Sequence, residues 1–511
     1  MLQWPIIAFS LALLKSLYTF FTRKNKSSSS ACFAQSFQLI KDHSQTKYFN
    51  NKQLRVVHLL HPNPDVPVLF FLHGAGGRVE QFCGQLNYFR TNSSIVMLDL
   101  VGHGQSEESS FQEDFGLHSL LDTLVEVFHT YMGKYNAFVA HSYGTSLFAY
   151  LYPLVKEHLS GAVLLAPLVA RHGNASSMRP PLWTRLPCWF LDLCRFFDRW
   201  GGVQSYSVRR LLDQSASDCV KAQQLLWNKA TSSLTIKLLV REMRLPPLED
   251  FGSLARLPVL LIAGEGDFLA PPSMARDIFQ KISGREPLPA IRHQLHILPQ
   301  CGHLLMLEKK DVVNAHIARF LTRVCGFSAM DRLNIANRGS SLDDKWGLKN
   351  FEKWAKTANY GKPVGRGGSL LPLKVLRQDD STHSPEAFLA EHPRVGLLID
   401  LTSGAPPYDT YCECIPSYVK LRAISKEIPD REYVDSFIRA VKTFLKEHPQ
   451  KQVAVHCHYG FNRTGFLICC YLIEEENFSV KEAIKEFARA RPTGIRHQHF
   501  IDELHLRYAA T

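Results

Sequence analysis

A cysteine stands six residues before an arginine in the run Val455-His456-Cys457-His458-Tyr459-Gly460-Phe461-Asn462-Arg463-Thr464-Gly465. Gln452 to Val455 predicts a short buried strand and Thr464 to Glu474 a helix. The turn between them aims successive backbone N–H groups, those of His458, Tyr459, Gly460, Phe461, Asn462 and Arg463, at one point where a tetrahedral anion can sit. The same field acts on Cys457. A thiol at a helix N-terminus beside a guanidinium ionises well below its free value of about 8.5 and is a nucleophile at neutral pH. Arg463 would hold two phosphoryl oxygens in its fork and meet the charge that develops in transfer. Such chemistry requires no cofactor and no metal. The bland alternative is a structural cysteine at a strand end, with Arg463 paired to a carboxylate.

The pattern HCxxGxxRTG between strand and helix resembles the cysteine phosphatases of the dual-specificity class. More narrowly, it resembles the RNA 5′-triphosphatase domain of metazoan and plant mRNA capping enzymes. Four blocks carry the narrower likeness in the family's order: GKPVGRGGSLLPLK (Gly361 to Lys374), GLLIDLTS (Gly396 to Ser403) with Tyr408-Asp409 after it, HCHYGFNRTGFLICCYLIE, and FARARPTGI (Phe487 to Ile495). The likeness covers roughly Lys345 to Thr511. It implies removal of phosphate from RNA 5′-triphosphate or diphosphate ends, or action on a phosphoprotein as a tyrosine or dual-specificity phosphatase. The Lys-x-Asp-Gly nucleophile of a guanylyltransferase occurs nowhere in the chain, so only the first capping step is implied. Asp400 and Asp409 are the carboxylates to screen as general acid, or else a strand-end acceptor and a turn residue. A diphosphate leaves without needing a proton, whereas a tyrosine or serine oxygen does not.

The chain has 511 residues, too many for this domain alone. Apolar runs at Val68 to Leu72, Ile95 to Leu100, Ala137 to Ala140, Ala162 to Leu165 and Val259 to Ala263 alternate with helical patterns. That alternation predicts a parallel sheet covered on both faces. Ala140-His141-Ser142-Tyr143-Gly144 ends the third run in a G-x-S-x-G turn with alanine first, which exposes the Ser142 hydroxyl. Asp267 follows a late run and His303 the last one, so the order is Ser, Asp, His. His303 would take the Ser142 proton and Asp267 would orient His303. The N–H groups of Tyr143 and of Ala75, in the loop His73-Gly74-Ala75-Gly76-Gly77, would receive the oxyanion.

This part resembles the α/β-hydrolase fold, in particular the α/β-hydrolase-domain-containing proteins, over about Val56 to Phe320. A serine nucleophile argues against haloalkane dehalogenase or epoxide hydrolase chemistry. The block after His303 lacks the H-x4-D arrangement of acyltransferase-like relatives, which favours hydrolysis. A degenerate, non-catalytic hydrolase fold is the alternative. An insertion between Pro167 and Leu257 sits where a lid belongs and contains Trp183, Trp189, Phe190, Phe196, Phe197 and Trp200. These aromatics are either the lid's own packing or an apolar cover suited to a small ester or lipid substrate.

The expected organisation is a hydrophobic anchor or targeting segment (1–30), an α/β-hydrolase domain (50–325, helical lid about 168–257), a polar linker (326–344) and an α/β dual-specificity-phosphatase-like domain (345–511). Leu2 to Phe21 is largely apolar, with Lys15 inside it and Arg23, Lys24 and Lys26 after it. A span of about 20 residues is just long enough to cross a bilayer, and the basic residues after it would keep the rest of the chain in the cytosol. Membrane association through this segment is the first expectation. A mitochondrial presequence is the second and a merely buried helix the third, and a nuclear location applies if the phosphatase acts in capping. The net charge of +12 is no RNA footprint in itself, because five Lys/Arg lie in the first 41 residues and no basic run appears elsewhere. The 12 cysteines show no disulfide framework or metal spacing, which suits a reducing compartment. Oligomeric state is not legible. The whole chain is read as a bifunctional hydrolase. The alternatives are a scaffold in which one domain lacks catalysis, or, since Met330 opens the second domain, a fusion of neighbouring genes.

Overall fold

The computed structural model describes residues 33–170, 180–284, 293–327, 330, 348–403, 406–410 and 414–509. The chain divides into two compact units, Met1–Leu333 and Asn334–Thr511.

The first unit is built on eight strands: β1 (Ser44–Phe49), β2 (Lys52–Leu59), β3 (Val68–Leu72), β4 (Ser94–Leu98), β5 (Asn136–His141), β6 (Gly161–Leu165), β7 (Val259–Gly264) and β8 (Gln294–Leu298). Their order in the sheet is β1-β2-β4-β3-β5-β6-β7-β8. β1, β2 and β4 pair antiparallel, and every pair from β4 to β8 is parallel. β3 through β7 are buried at every residue, because helices such as Leu117–Tyr131, Tyr143–Val155 and Pro272–Ser283 cover the sheet. Ser142 follows β5, Asp267 follows β7 and His303 follows β8, so all three stand at the carboxyl ends of parallel strands.

Between β6 and β7 lie the helices Cys188–Trp200, Asp218–Ala230 and Ser233–Glu242. The aromatics of the first lie against one another, with the Phe196, Phe197 and Trp200 rings 5.5–5.7 Å apart, and remain open to solvent. No residue of Cys188–Trp200 is buried, and Trp189 and Trp200 are 68% and 61% exposed.

The second unit carries β9 (Leu370–Leu373), β10 (Val395–Asp400), β11 (Tyr418–Lys420) and β12 (Gln452–His456), all parallel in the order β11-β10-β12-β9. The helix Asn462–Glu476 leaves β12 through the Cys457 loop. Phe466, Leu467, Ile468, Cys469, Cys470 and Leu472 on it are fully buried against the sheet and the helices Val480–Ala490 and Gln498–Arg507. A helix apolar on all sides is a buried one, which fixes the axis along which the loop's N–H groups point.

Two expectations are corrected. Among the described residues no helix is long and apolar enough to cross a membrane, and the stretch Leu2 to Phe21 lies outside the described residues. The membrane-associated, cytosol-facing location is corrected to that extent: no described helix supports it. Cys414 is disulfide-bonded, against the expectation of thiols throughout, while Cys83, Cys188, Cys194, Cys219, Cys301, Cys325, Cys457, Cys469 and Cys470 are free.

Candidate active sites

In the first unit Ser142 is the pivot of a sharp turn with φ 53° and ψ −123°, a backbone conformation that side chains rarely adopt. The turn is tight. A Cβ on Gly144 would come within 2.6 Å of the Leu72 carbonyl oxygen, and one on Gly74 within 2.6 Å of the Ser142 Cβ. Both positions therefore require glycine, whereas Ala140 stands inside β5 without conflict. The Ser142 hydroxyl donates to His303 Nε2 at 2.8 Å, and His303 Nδ1 donates to Asp267 Oδ2 at 2.7 Å. Asp267 Oδ1 accepts the N–H groups of Leu269 (2.8 Å) and Ala270 (2.9 Å), which fixes the carboxylate plane. All three side chains are buried.

Tyr143 opens the helix Tyr143–Val155, where backbone N–H groups have no helical acceptor. Ala75 lies in the loop packed on Ser142, and that loop is braced by two histidines that the motif alone does not single out. His103 Nδ1 donates to the Val101 carbonyl while its Nε2 accepts the N–H of Gly76 at 3.1 Å. His73 Nδ1 donates to the Gly74 carbonyl and its Nε2 accepts the N–H of Leu100. Burial holds both imidazoles at about 4, so both stay neutral and keep an accepting nitrogen.

In the second unit Cys457 is 4% exposed at the C-terminal end of β12. Burial alone would raise its thiol. The Arg463 charge, the Thr464 hydroxyl and the N–H groups of Thr464 and Gly460 outweigh it and bring the pKa below the ordinary value. Arg463 is buried, and its Nη1 donates to the carbonyls of Leu401 (3.0 Å) and Ala423 (2.6 Å). Gly460 has φ 72°, and a Cβ there would lie 2.2 Å from the Leu373 carbonyl oxygen, so the loop closes only with glycine. Asn462 Oδ1 accepts the N–H groups of Arg496 (2.8 Å) and His497 (2.9 Å). Arg491 Nη2 donates to the carbonyls of Tyr459 (3.0 Å) and Ala358 (2.8 Å). His458 and Phe461 complete the loop, with Phe461 under the Arg496 guanidinium at 3.4 Å from the ring centroid.

The two candidate acids stand in different surroundings. Asp400 is fully buried, and its Oδ2 accepts Lys420 Nζ (2.5 Å) and the Tyr418 hydroxyl (2.9 Å) while its Oδ1 accepts the N–H of Thr402 (2.7 Å). Burial pushes its pKa up, yet His456, Lys420 and Thr402 together hold it below the usual carboxylate range. A carboxylate kept ionised in this way has no proton to give. Asp409 is exposed, and its N–H donates to Gln378 Oε1 at 3.1 Å. Beneath Cys457 lies a pair to which residue type and spacing assign no role: His456 Nδ1 donates to the Cys457 carbonyl (3.2 Å) and the Tyr408 hydroxyl donates to His456 Nε2 (2.7 Å). A sequence signal is nonetheless present, since Tyr408 and His456 both fall in the blocks that carry the family likeness.

Fold and site together define a two-part protein, an α/β-hydrolase-fold unit followed by a cysteine phosphatase unit. The family model described as alpha/beta hydrolase fold matches residues 67–310, and the one described as dual specificity phosphatase, catalytic domain, matches residues 379–509. The chain is similar to an mRNA-capping enzyme of Danio rerio, 37% identical over 175 residues, covering 30% of this chain and 28% of that protein. It is similar to the RNA/RNP complex-1-interacting phosphatase of Homo sapiens, 38% identical over 181 residues, covering 32% of this chain and 54% of that protein. It is also similar to a tyrosine-protein phosphatase of Autographa californica nuclear polyhedrosis virus, 31% identical over 131 residues, covering 25% of this chain and 78% of that protein. The chain thus spans under a third of the capping enzyme it matches. Through its C-terminal unit the chain belongs to the dual specificity phosphatase family, with an α/β-hydrolase-fold domain ahead of it.

Proposed function

We propose that the C-terminal unit removes phosphate from RNA 5′-triphosphate or diphosphate ends. The Cys457 thiolate attacks the terminal phosphorus, the bond to the bridging oxygen breaks, and the shortened RNA end leaves as a phosphate anion. Water then hydrolyses the cysteinyl phosphate and inorganic phosphate is released. Arg463 and the N–H groups of residues 458–463 neutralise the equatorial oxygens. The observation that carries this reading is the likeness to capping enzymes across the unit. Asp400 supports it: a carboxylate already committed to Lys420 and Tyr418 suits a leaving group that departs without a proton.

The likeness to a viral tyrosine-protein phosphatase favours a second reading, a phosphoprotein substrate with Asp409 as acid. The test compares kcat/KM for a short 5′-triphosphate RNA and a phosphotyrosine peptide, in the wild type, Cys457→Ser and Asp409→Asn, with and without EDTA. The RNA should be preferred, the serine variant should be inactive, and EDTA should change nothing. A better peptide, with that advantage removed by Asp409→Asn, would establish the second reading instead.

For the N-terminal unit the proposal is a serine hydrolase acting on a small ester or lipid-like molecule. What supports it is the continuous Ser142–His303–Asp267 hydrogen-bond chain at 2.8 and 2.7 Å.

A further inference from the structure

The loop carrying His303 is gripped from both sides. Toward the sheet, Gly266 N–H donates to the Cys301 carbonyl at 2.9 Å, and His141 Nε2 donates to the His303 carbonyl at 2.9 Å. Toward the lid, the N–H groups of His303 and Leu304 both donate to the carbonyl of Leu211, at 2.9 and 3.2 Å. Leu211 belongs to the lid insertion, just past the helix Tyr206–Arg209. The lid at this end is thus hydrogen-bonded directly to the main chain of the residue that faces Ser142.

Glu308 joins the two segments a second time. Its Oε2 accepts the N–H of Asp213, two residues beyond Leu211, at 2.8 Å, and the N–H of Gly302, next to His303, at 3.1 Å. The approach is close enough that a Cβ on Gly302 would lie 2.7 Å from the Asp213 nitrogen. Asp213 is held in turn by Ser215, whose N–H and hydroxyl donate to its Oδ1 at 2.8 and 2.6 Å. Glu308 Oε1 is buried with no partner among the described residues, and burial pushes the carboxyl up to about 7. A buried carboxylate with one oxygen unsatisfied destabilises the fold at its own site. What that carboxylate does in return is join two N–H groups from segments far apart in the chain.

We infer that Glu308 is a positioning residue for the Ser142 site: by tying the lid segment Leu211–Asp213 to Gly302, it makes the seating of the lid set the place of the His303 imidazole. This rests on reading Ser142 as a nucleophile. Proton transfer between Ser142 and His303 depends on a single hydrogen bond, and a displacement of about 1 Å at such a contact costs on the order of 100-fold in rate. A lid displaced by a bound apolar molecule, or by its absence, would act on the general base through this tie.

The test uses the full-length chain and a fluorophosphonate probe, with Ser142→Ala as the blank. Glu308→Ala should slow labelling about 10- to 100-fold. Glu308→Gln, which keeps an acceptor oxygen for both N–H groups, should stay within about 3-fold of wild type. Gly302→Ala, whose Cβ would crowd the Asp213 nitrogen at 2.7 Å and Glu308 Oε1 at 3.1 Å, loosens the same tie with the glutamate still in the sequence; it should behave like Glu308→Ala and gives the answer if Glu308→Ala does not fold. Circular dichroism and the melting transition of the hydrolase unit, followed in the same molecules, report whether each variant is folded. Wild-type labelling rates in Glu308→Ala and Gly302→Ala, or equal loss in the Ala and Gln variants, would overturn the positioning role. A wild type that resists the probe would overturn the serine-hydrolase reading itself and this inference with it.

Discussion

Asp400→Asn separates a structural carboxylate from a catalytic acid. The native carboxylate has no exposed surface, and it pairs with a Lys420 side chain that is itself only 20% exposed. Removing one member of a buried pair leaves the other charge uncompensated, at about 3–5 kcal/mol. Asparagine still accepts the Thr402 N–H, so the lower end, about 3 kcal/mol, is expected. For a domain of this size each kcal/mol moves Tm by about 2–4 °C, giving a fall of roughly 6–12 °C. Calorimetry of the full chain should show that fall in the phosphatase transition and none in the hydrolase transition. The ratio of kcat/KM for triphosphate RNA to that for phosphotyrosine peptide should stay within about 3-fold of wild type, because neither reaction draws its proton from Asp400. The pH dependence has a definite sign. A carboxylate whose folded pKa is depressed stabilises the fold above its unfolded value of about 3.9, and that contribution is lost as pH falls through the folded pKa. The difference between wild type and variant should therefore be full from pH 5 to 8 and close only in strong acid. An unmoved Tm together with a peptide-only loss of 100-fold or more would make Asp400 the general acid and refute the structural assignment.

His303→Ala should cut fluorophosphonate labelling of Ser142 by about 100- to 10,000-fold while circular dichroism stays unchanged; undiminished labelling would remove His303 as the base. Gly460→Ala places a Cβ 2.2 Å from the Leu373 carbonyl oxygen at φ 72°, so p-nitrophenyl phosphate turnover should fall at least about 100-fold, with Ser142 labelling intact. Near-normal turnover would mean that the loop does not need this conformation.

The central strands β3 to β7 were legible because a parallel strand covered on both faces reads as an unbroken apolar run, as Val68–Leu72 does. β1, at the antiparallel edge, was not: Ser44–Phe49 buries only Phe49 fully, and its polar residues carry no such signal. Chemistry confined to one strand, turn and helix was equally legible, since Cys457, Gly460 and Arg463 meet through local backbone geometry alone. The same holds for the turn at Ser142. The order Ser, Asp, His could be read along the chain, but a hydrogen bond spanning 161 residues is created only by sheet order. Asp400 shows the limit most plainly. As a strand-end carboxylate it had two open roles, and the choice was made by Tyr418 and Lys420 on the neighbouring strand β11 and by His456 on β12, which register brings to its side. The lid aromatics were ambiguous for the same reason, because composition cannot say whether a Trp faces a neighbour or solvent. Local patterns determined which groups could react. Long-range packing decided which of them are already bound to something else, because the energy of a polar group in a protein depends on partners that the linear order does not show.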